Sequence, residues 1–279
     1  MILITGCNGQ LGTEMRMRLP NAIAAGHAEL DITDSAAVAR FVAEHNIDTI
    51  INCAAYTAVD LAEDEKDAAH RLNVDGPLNL AKTGAKIIHI STDYVFDGMG
   101  NRPYTPNDAT NPVSVYGKTK LLGEQAVLDA SDVAIIIRTS WVYSPYGKNF
   151  LKTMRKLGAE RESLNVVFDQ VGTPTYAGDL ADAIVKILPQ MNERNSGVYH
   201  FSNEGVCSWY DFATEIMNMS GLKCNVRPIT SDQYPTRAVR PAYSVLDKSK
   251  IKRTFGLEIN HWKKGLEKCI SKLKKEKQY

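Results

Sequence analysis

The sequence predicts an α/β fold, a doubly wound parallel sheet carrying a smaller C-terminal α/β lobe. Three observations lead there. Short apolar, β-branched runs at 2–5, 49–53, 86–91 and 134–138 have the continuous hydrophobicity of strands buried on both faces. Amphipathic stretches at 10–19, 35–45 and 72–82 fall between them and read as helices, the second opened by the capping pair Asp34-Ser35. The first strand runs directly into Gly6-Cys7-Asn8-Gly9-Gln10-Leu11-Gly12, which opens a helix. Strand–helix alternation of this kind makes a parallel sheet covered on both faces.

The pattern changes after about residue 140. Residues 143–149 are rich in Gly, Pro and aromatics and read as a loop. A helix at 150–157, a strand at 164–168 and a helix at 177–188 follow, and from Gly197 onward Pro, Trp and Tyr mix with short elements. The expected division puts 1–145 and about 164–190 in a dinucleotide-binding domain. It puts about 146–163 and 191–279 in a lobe over the C-terminal ends of the strands, where open α/β sheets bind ligands.

A chain of 279 residues is long enough for this plan. Its 44% hydrophobic and 23% charged residues are those of a soluble globular protein. A formal net charge of +1 gives no bulk attraction to nucleic acid or to an anionic membrane, so neither is expected as a partner. The run Lys272, Lys274, Lys275 and Lys277 reads as a solvated helix end. Five widely spaced cysteines without a C-x-x-C pair suit reduced thiols in a cytoplasmic protein. Neither a signal peptide nor an apolar run of about 18 residues is present, which agrees with that location.

The glycine segment carries the first chemistry. Glycines let the backbone turn and approach a pyrophosphate, and a helix N-terminus adds N–H donors and positive potential. The domain is therefore expected to be Rossmann-type, with spacing G-x-x-G-x-x-G rather than G-x-G-x-x-G. An acid that grips the cofactor ribose belongs at the end of the second strand. That strand reads as 22–25, closed by Gly26 and His27 and by no acid; Asp31 comes later, in Leu30-Asp31-Ile32-Thr33, as a loop residue beside the adenine. Without a carboxylate to repel a 2′-phosphate, NADPH should be accepted at least as well as NADH.

Tyr116 and Lys120 stand at i, i+4 in Tyr116-Gly117-Lys118-Thr119-Lys120 and share a helix face. An ammonium beside a phenol favours phenolate, which suits proton exchange with a carbonyl near neutral pH. Ser91-Thr92-Asp93 ends a buried strand, where α/β folds place chemistry, and a hydroxyl there can bond a carbonyl being reduced. Asn52-Cys53-Ala54-Ala55-Tyr56-Thr57 ends another strand with small residues that let a nicotinamide ribose approach. Each feature alone has a plainer reading, as a surface pair, a capping turn or close packing. Their combination in one chain outweighs those readings.

Together these elements resemble the extended short-chain dehydrogenase/reductase superfamily, and within it the dTDP-4-dehydrorhamnose reductase family. The resemblance rests on "ITGCNGQLG", "NCAAYTAVDLAE", "HISTDYVFDG", "NPVSVYGKTKLLGE", "IIRTSWVYSPYGKNF", "DQVGTPTYAGDLA" and "YPTRAVRPAYSVLD", which span nearly the whole chain. It implies reduction of a C4 keto group of a dTDP-sugar by NADPH or NADH, the last step of dTDP-rhamnose biosynthesis. Tyr116 would donate the proton, Lys120 would lower its pKa and hold the nicotinamide ribose, and Thr92 would complete the triad. Gly6, Asn8, Gly9, Gln10 and Leu11 would hold the pyrophosphate; Asp31 and Ile32 would lie by the adenosine. Ala54, Ala55, Thr57 and Ser91 would border the rest of the cofactor. Asp93, Tyr94 and Trp141 would line the sugar pocket, and Arg240 would meet a nucleotide phosphate. No metal ligand set is implied, Mg2+ stays open as an accessory, and a homodimer is compatible.

The sequence departs from the family at one place. Only Ala81-Lys82-Thr83-Gly84-Ala85 separate Leu80 from the "HISTDYVF" strand, so the helix after Gly76 is expected to be truncated. Two other functions stay open: a non-catalytic regulatory subunit on this fold, and another sugar-nucleotide reductase, epimerase or dehydratase. Intact Thr92, Tyr116 and Lys120 favour the enzyme, and a dehydratase would want a glutamate after Asp93, where Tyr94 stands.

Overall fold

A computed structural model describes residues 1–275; Lys277 of the basic run lies outside them. Five strands, β1 (Ile2–Thr5), β2 (Ile23–Ala25), β3 (Thr49–Asn52), β4 (Lys86–Thr92) and β5 (Ala134–Thr139), join a sixth, Gly197–His200, in one sheet. Its order is β2-β1-β3-β4-β5 and then Gly197–His200, parallel throughout. The isoleucine runs explain the two covered faces. Ile51, Ile88, Ile135 and Ile137 pack with α1 (Gln10–Arg18) and a later helix, Ala177–Ile187. Their neighbours Ile50, Ile87 and Ile136 point the other way, toward α2 (Ser35–Glu44) and the helices between β3 and β5. Chain order reverses between β1 and β3, which opens a crevice at their C-terminal ends.

Between β3 and β4 the helical segment starts before the expected 72–82 and is three pieces rather than one helix. These are α3 (Lys66–His70), a π-helical turn at Arg71–Asp75, and α4 (Gly76–Ala81) with Pro77 in its first turn. Pro77 has no N–H to return to the carbonyl of Asn73, so a uniform α-helix cannot run through it. That carbonyl meets α5 (Val115–Ala130) instead, where a Cβ on Gly123 would lie 2.0 Å from it. α4 is the short helix expected after Gly76; Thr83 Oγ1 bonds Leu80 O at 2.7 Å, and Gly84 turns the chain at φ +78.

The smaller lobe is built by α6 (Phe150–Glu160), α8 (Trp209–Ser220), α10 (Trp262–Lys275) and the parallel pair Ser163–Val167 and Asn225–Ile229, while α7 (Ala177–Ile187) and α9 (Ser249–Phe255) return to the sheet. Side chains of α6, α8 and α10, with that strand pair, form a separate core around Phe212, Leu266 and Cys269. Three assignments differ from the expected division: α9 packs on the main sheet through Ile251 and Phe255 although it was assigned to the lobe. Gly197–His200 completes the main sheet although it was assigned to the lobe, and Ser163–Val167 pairs inside the lobe although it was assigned to the sheet domain. Residues 144–149 are a loop, while Tyr143, expected in it, ends the short strand Val142–Tyr143 that pairs with Thr175–Tyr176.

Lys272 is not a solvated helix end. Its Nζ lies 3.1 and 3.2 Å from the two carboxylate oxygens of Glu14, a fully buried residue of α1 that also takes Arg18 at 2.6 Å. Lys268 pairs with Asp179 of α7 at 2.7 Å, while Lys274 and Lys275 are exposed. Among the described residues no helix is long and apolar enough to cross a membrane, and none of the five cysteines is in a disulfide.

Candidate active site

The loops after β1 and β3 meet backbone to backbone in the crevice. Gly6 has φ +61, and a Cβ there would lie 2.6 Å from Ala54 N; one on Gly12 would lie 2.2 Å from Gly6 O. α1 begins at Gly9 with no side-chain cap and no acid in its first turn. Its first N–H groups therefore remain open donors, which is the arrangement that binds an anion. This cradle fits a pyrophosphate, and it does so through backbone. The Leu11 side chain is in the core, and Gln10 bonds Val142 O, Ser144 and Asn149 across the cleft. Asn8 Oδ1 accepts from Arg16 at 3.3 Å.

An acid does stand at the end of β2. Glu29 Oε2 accepts from Gly26 N at 2.8 Å, looping back from three residues on. Reading only the residues contiguous with the strand misses it. His27 is exposed. Asp31 closes its own turn, accepting from Thr33 N at 2.9 Å and Thr33 Oγ1 at 2.8 Å, bonds that hold its carboxyl below the usual range. Ile32 is a core residue packed against Gly76. After β3, Ala54 lies under Gly6, Ala55 is half-buried and Thr57 is exposed.

Thr92 and Tyr116 meet at the end of β4. Ser114 caps α5 by accepting from Gly117 N at 3.1 Å, and a Cβ on Gly117 would lie 2.2 Å from Tyr94 O. The bare glycine thus lets the first turn of α5 rest on the turn Asp93–Val95. It sets the Tyr116 phenol beside Thr92 and edge-on to Tyr94, 5.4 Å between centroids. Burial pushes Tyr116 up to about 12, against the pull of Thr92. The expected lowering by Lys120 is absent. Lys120 Nζ turns instead to Ile90 O at 2.7 Å and His89 Nε2 at 3.3 Å, and burial lowers it to about 8. Ser91 is likewise engaged: its hydroxyl bonds Glu124, whose carboxylate takes Arg138 Nε at 2.9 Å and Nη2 at 2.7 Å.

On the sugar side Asp93 is buried next to Thr92, and burial pushes its carboxyl up to about 6 against the Ser244 and Thr92 hydroxyls. Trp141 has the rare φ of +50 and stacks flat on Trp209 of α8, 3.6 Å between centroids at 11°. One of its faces is therefore taken by protein. Arg240 is paired, with Nη2 2.6 Å from Asp60 Oδ2. Beyond Trp209 and Arg240 a groove of about 710 Å³ runs between α6 and the lobe strands, with Phe150, Arg161, Arg227 and Tyr234 on its walls. Trp209, Asp60, Glu29 and His89 are the contributors that motif reading missed. Trp209 lies in no motif, whereas Asp60 and His89 stand inside the quoted tracts "NCAAYTAVDLAE" and "HISTDYVFDG" without a spacing that marks their partners. No group of three or more His, Cys, Asp or Glu that could hold a metal comes together among the described residues.

A six-stranded parallel sheet, a glycine cradle at its switch point and a Thr–Tyr pair one strand away are the marks of a Rossmann-type dinucleotide protein. The chain belongs to the family described as the RmlD substrate binding domain, whose profile matches residues 1–275. It is similar to the crystal structure of a dTDP-4-dehydrorhamnose reductase from Clostridium acetobutylicum, at 44% identity and TM-score 0.94 over 98% of this chain and 99% of that one. The dTDP-4-dehydrorhamnose reductase of Bacillus anthracis, in complex with NADP, is 40% identical with TM-score 0.93, covering 97% and 98%. A dTDP-4-dehydrorhamnose reductase of Mycolicibacterium smegmatis is 44% identical over 97% of this chain and 85% of its own.

Proposed function

We propose that the protein reduces the C4 carbonyl of dTDP-4-dehydrorhamnose to give dTDP-L-rhamnose, using NADPH or NADH. The observation that carries this reading is the meeting of the Tyr116 phenol and Thr92 at the end of β4, beside the glycine cradle. When bound, the reduced nicotinamide supplies the hydride. The protein's part is to hold the carbonyl and protonate its oxygen. A phenol pushed up to about 12 is stored in its acid form, which is the form a reduction consumes. The Thr92 hydroxyl shares the carbonyl oxygen with it. The open N–H groups of α1 receive the cofactor pyrophosphate, and Ala54 and Ala55 leave room for its ribose. The groove behind Trp209 takes the dTDP moiety, with Arg227 and Arg240 for its phosphates and the indole and Tyr234 for its flat rings.

The test is loss of reduced-nicotinamide absorbance when purified protein meets dTDP-4-dehydrorhamnose, with dTDP-L-rhamnose identified as product. Consumption with formation of that product is expected. Absence of consumption with this and other 4-keto sugar nucleotides would assign the fold to a binding subunit.

A further inference from the structure

The parallel register of β1, β3 and β4 sets Thr5, Asn52 and His89 side by side on the face toward α5. Asn52 Oδ1 accepts from Thr5 Oγ1 at 2.7 Å and from Ala54 N at 3.1 Å. A backbone N–H only donates, so the atom it meets is the amide oxygen, and the Nδ2 that faces His89 Nδ1 at 3.0 Å is a donor. His89 Nδ1 therefore keeps its lone pair, and the neutral ring carries its hydrogen on Nε2. That N–H is aimed at Lys120 Nζ, 3.3 Å away. An ammonium has no lone pair to receive it, whereas a neutral amine has one.

We propose that Asn52 and His89 form a positioning pair that sets the protonation of Lys120, by presenting an N–H donor to its nitrogen. The other groups around Lys120 fit this assignment. On its own helix, Tyr116 lies one turn before it, and Glu124, one turn after, favours the ammonium, but Arg138 of β5 and Ser91 already hold that carboxylate. From β4 come His89 and the neutral Ile90 carbonyl; from β3 comes the uncharged Asn52. Burial acts in the same direction on both partners, drawing Lys120 to about 8 and His89 well below its ordinary value. The inference rests on the proposed reduction for its use: the reaction leaves a Tyr116 phenolate, and a lysine poised near neutrality surrenders a proton to it more readily than a permanent ammonium does.

Two measurements test the pair. Long-range 1H–15N correlation on protein labelled at histidine should find His89 neutral with hydrogen on Nε2 from about pH 6 to about pH 8. An Nδ1–H tautomer or an imidazolium in that range overturns the proposal, and this readout needs no turnover. In the holoenzyme, kcat/KM for the sugar nucleotide should fall above a midpoint near that of Lys120. His89→Phe removes the N–H, and Asn52→Asp moves it to Nδ1; either should carry the midpoint upward by about one pH unit, a tenfold change in the lysine's proton affinity. An unmoved midpoint in a folded variant overturns it as well. Should neither variant fold, the wild-type tautomer decides. Wild type without turnover but with the Nε2–H signature would reject the reductase reading and leave the pair standing.

Discussion

Trp141 and Trp209 lie face to face, 3.6 Å between ring centroids, although 67 residues and a lobe boundary separate them. The stack holds Trp141 in a left-handed backbone conformation that a bulky side chain rarely adopts. Its remaining face is what the cleft can use. Trp209→Ala should release Trp141 and raise KM for the sugar nucleotide by about tenfold, the order of one aromatic contact, with cofactor affinity unchanged. Equal weakening of both ligands in calorimetry would contradict the placement.

Tyr116→Phe keeps the ring against Tyr94 and removes the acid. Turnover should drop about 10²–10⁴-fold while cofactor still binds. Near-wild-type turnover of the folded variant would remove Tyr116 from the chemistry.

Glu29 reaches the end of β2, where a carboxylate bonds a ribose 2′-hydroxyl and repels a 2′-phosphate. The expectation of easy NADPH use drawn from Gly26 and His27 therefore meets an opposing charge. Glu29→Gln should shift the ratio of kcat/KM for NADPH over NADH upward by about threefold to tenfold, which is about 0.6 to 1.4 kcal/mol. A ratio that stays fixed would show that Glu29 serves only the turn.

Arg138 and Glu124 form a buried ion pair beneath the site, with side chains 5% and 2% exposed. Arg138→Met leaves a carboxylate buried with only the Ser91 hydroxyl and should cost about 3–5 kcal/mol in urea unfolding. A loss below about 1 kcal/mol would mean that the site relaxes to admit water.

His89 and His200 are both buried and held neutral, His200 with a pKa drawn down to about 3 by burial and by Arg138. A histidine whose folded pKa lies below its unfolded value contributes full stability above the unfolded pKa of about 6.5 and loses it as pH falls. Below that point two such groups give a slope of up to about 2.7 kcal/mol per pH unit. Unfolding free energies measured across the acid range should show that decline, and a flat profile down to about pH 4 would refute it.

The parts of this molecule that obey a period or a motif were readable in the sequence. Isoleucine runs announced β3, β4 and β5, and the glycine segment announced the cradle, because burial on two faces and backbone contact each restrict residue type. Partner choice was not readable. Leu11, Ser91, Gln10 and Asp31 sit where the cofactor motifs put them, yet their side chains are spent on the core, on Glu124, on Asn149 and on Thr33. Arg240 is matched by Asp60, 180 positions earlier. Such pairings are decided by which loops the folded sheet brings together, and local spacing carries no record of them.

The Glu14 carboxylate is fixed in the second turn of the chain's first helix, while one of its two cationic partners, Lys272, sits in the last helix. The sixth strand of the sheet also arrives late, at Gly197–His200. A nascent chain emerging from the ribosome can thus lay down β1 to β5, but it cannot finish the edge of this sheet until residues 197–200 have been made. Nor can it neutralise the inward side of α1 from both directions until α10 is free. Synthesis and assembly are staggered by topology, and α1 waits for α10.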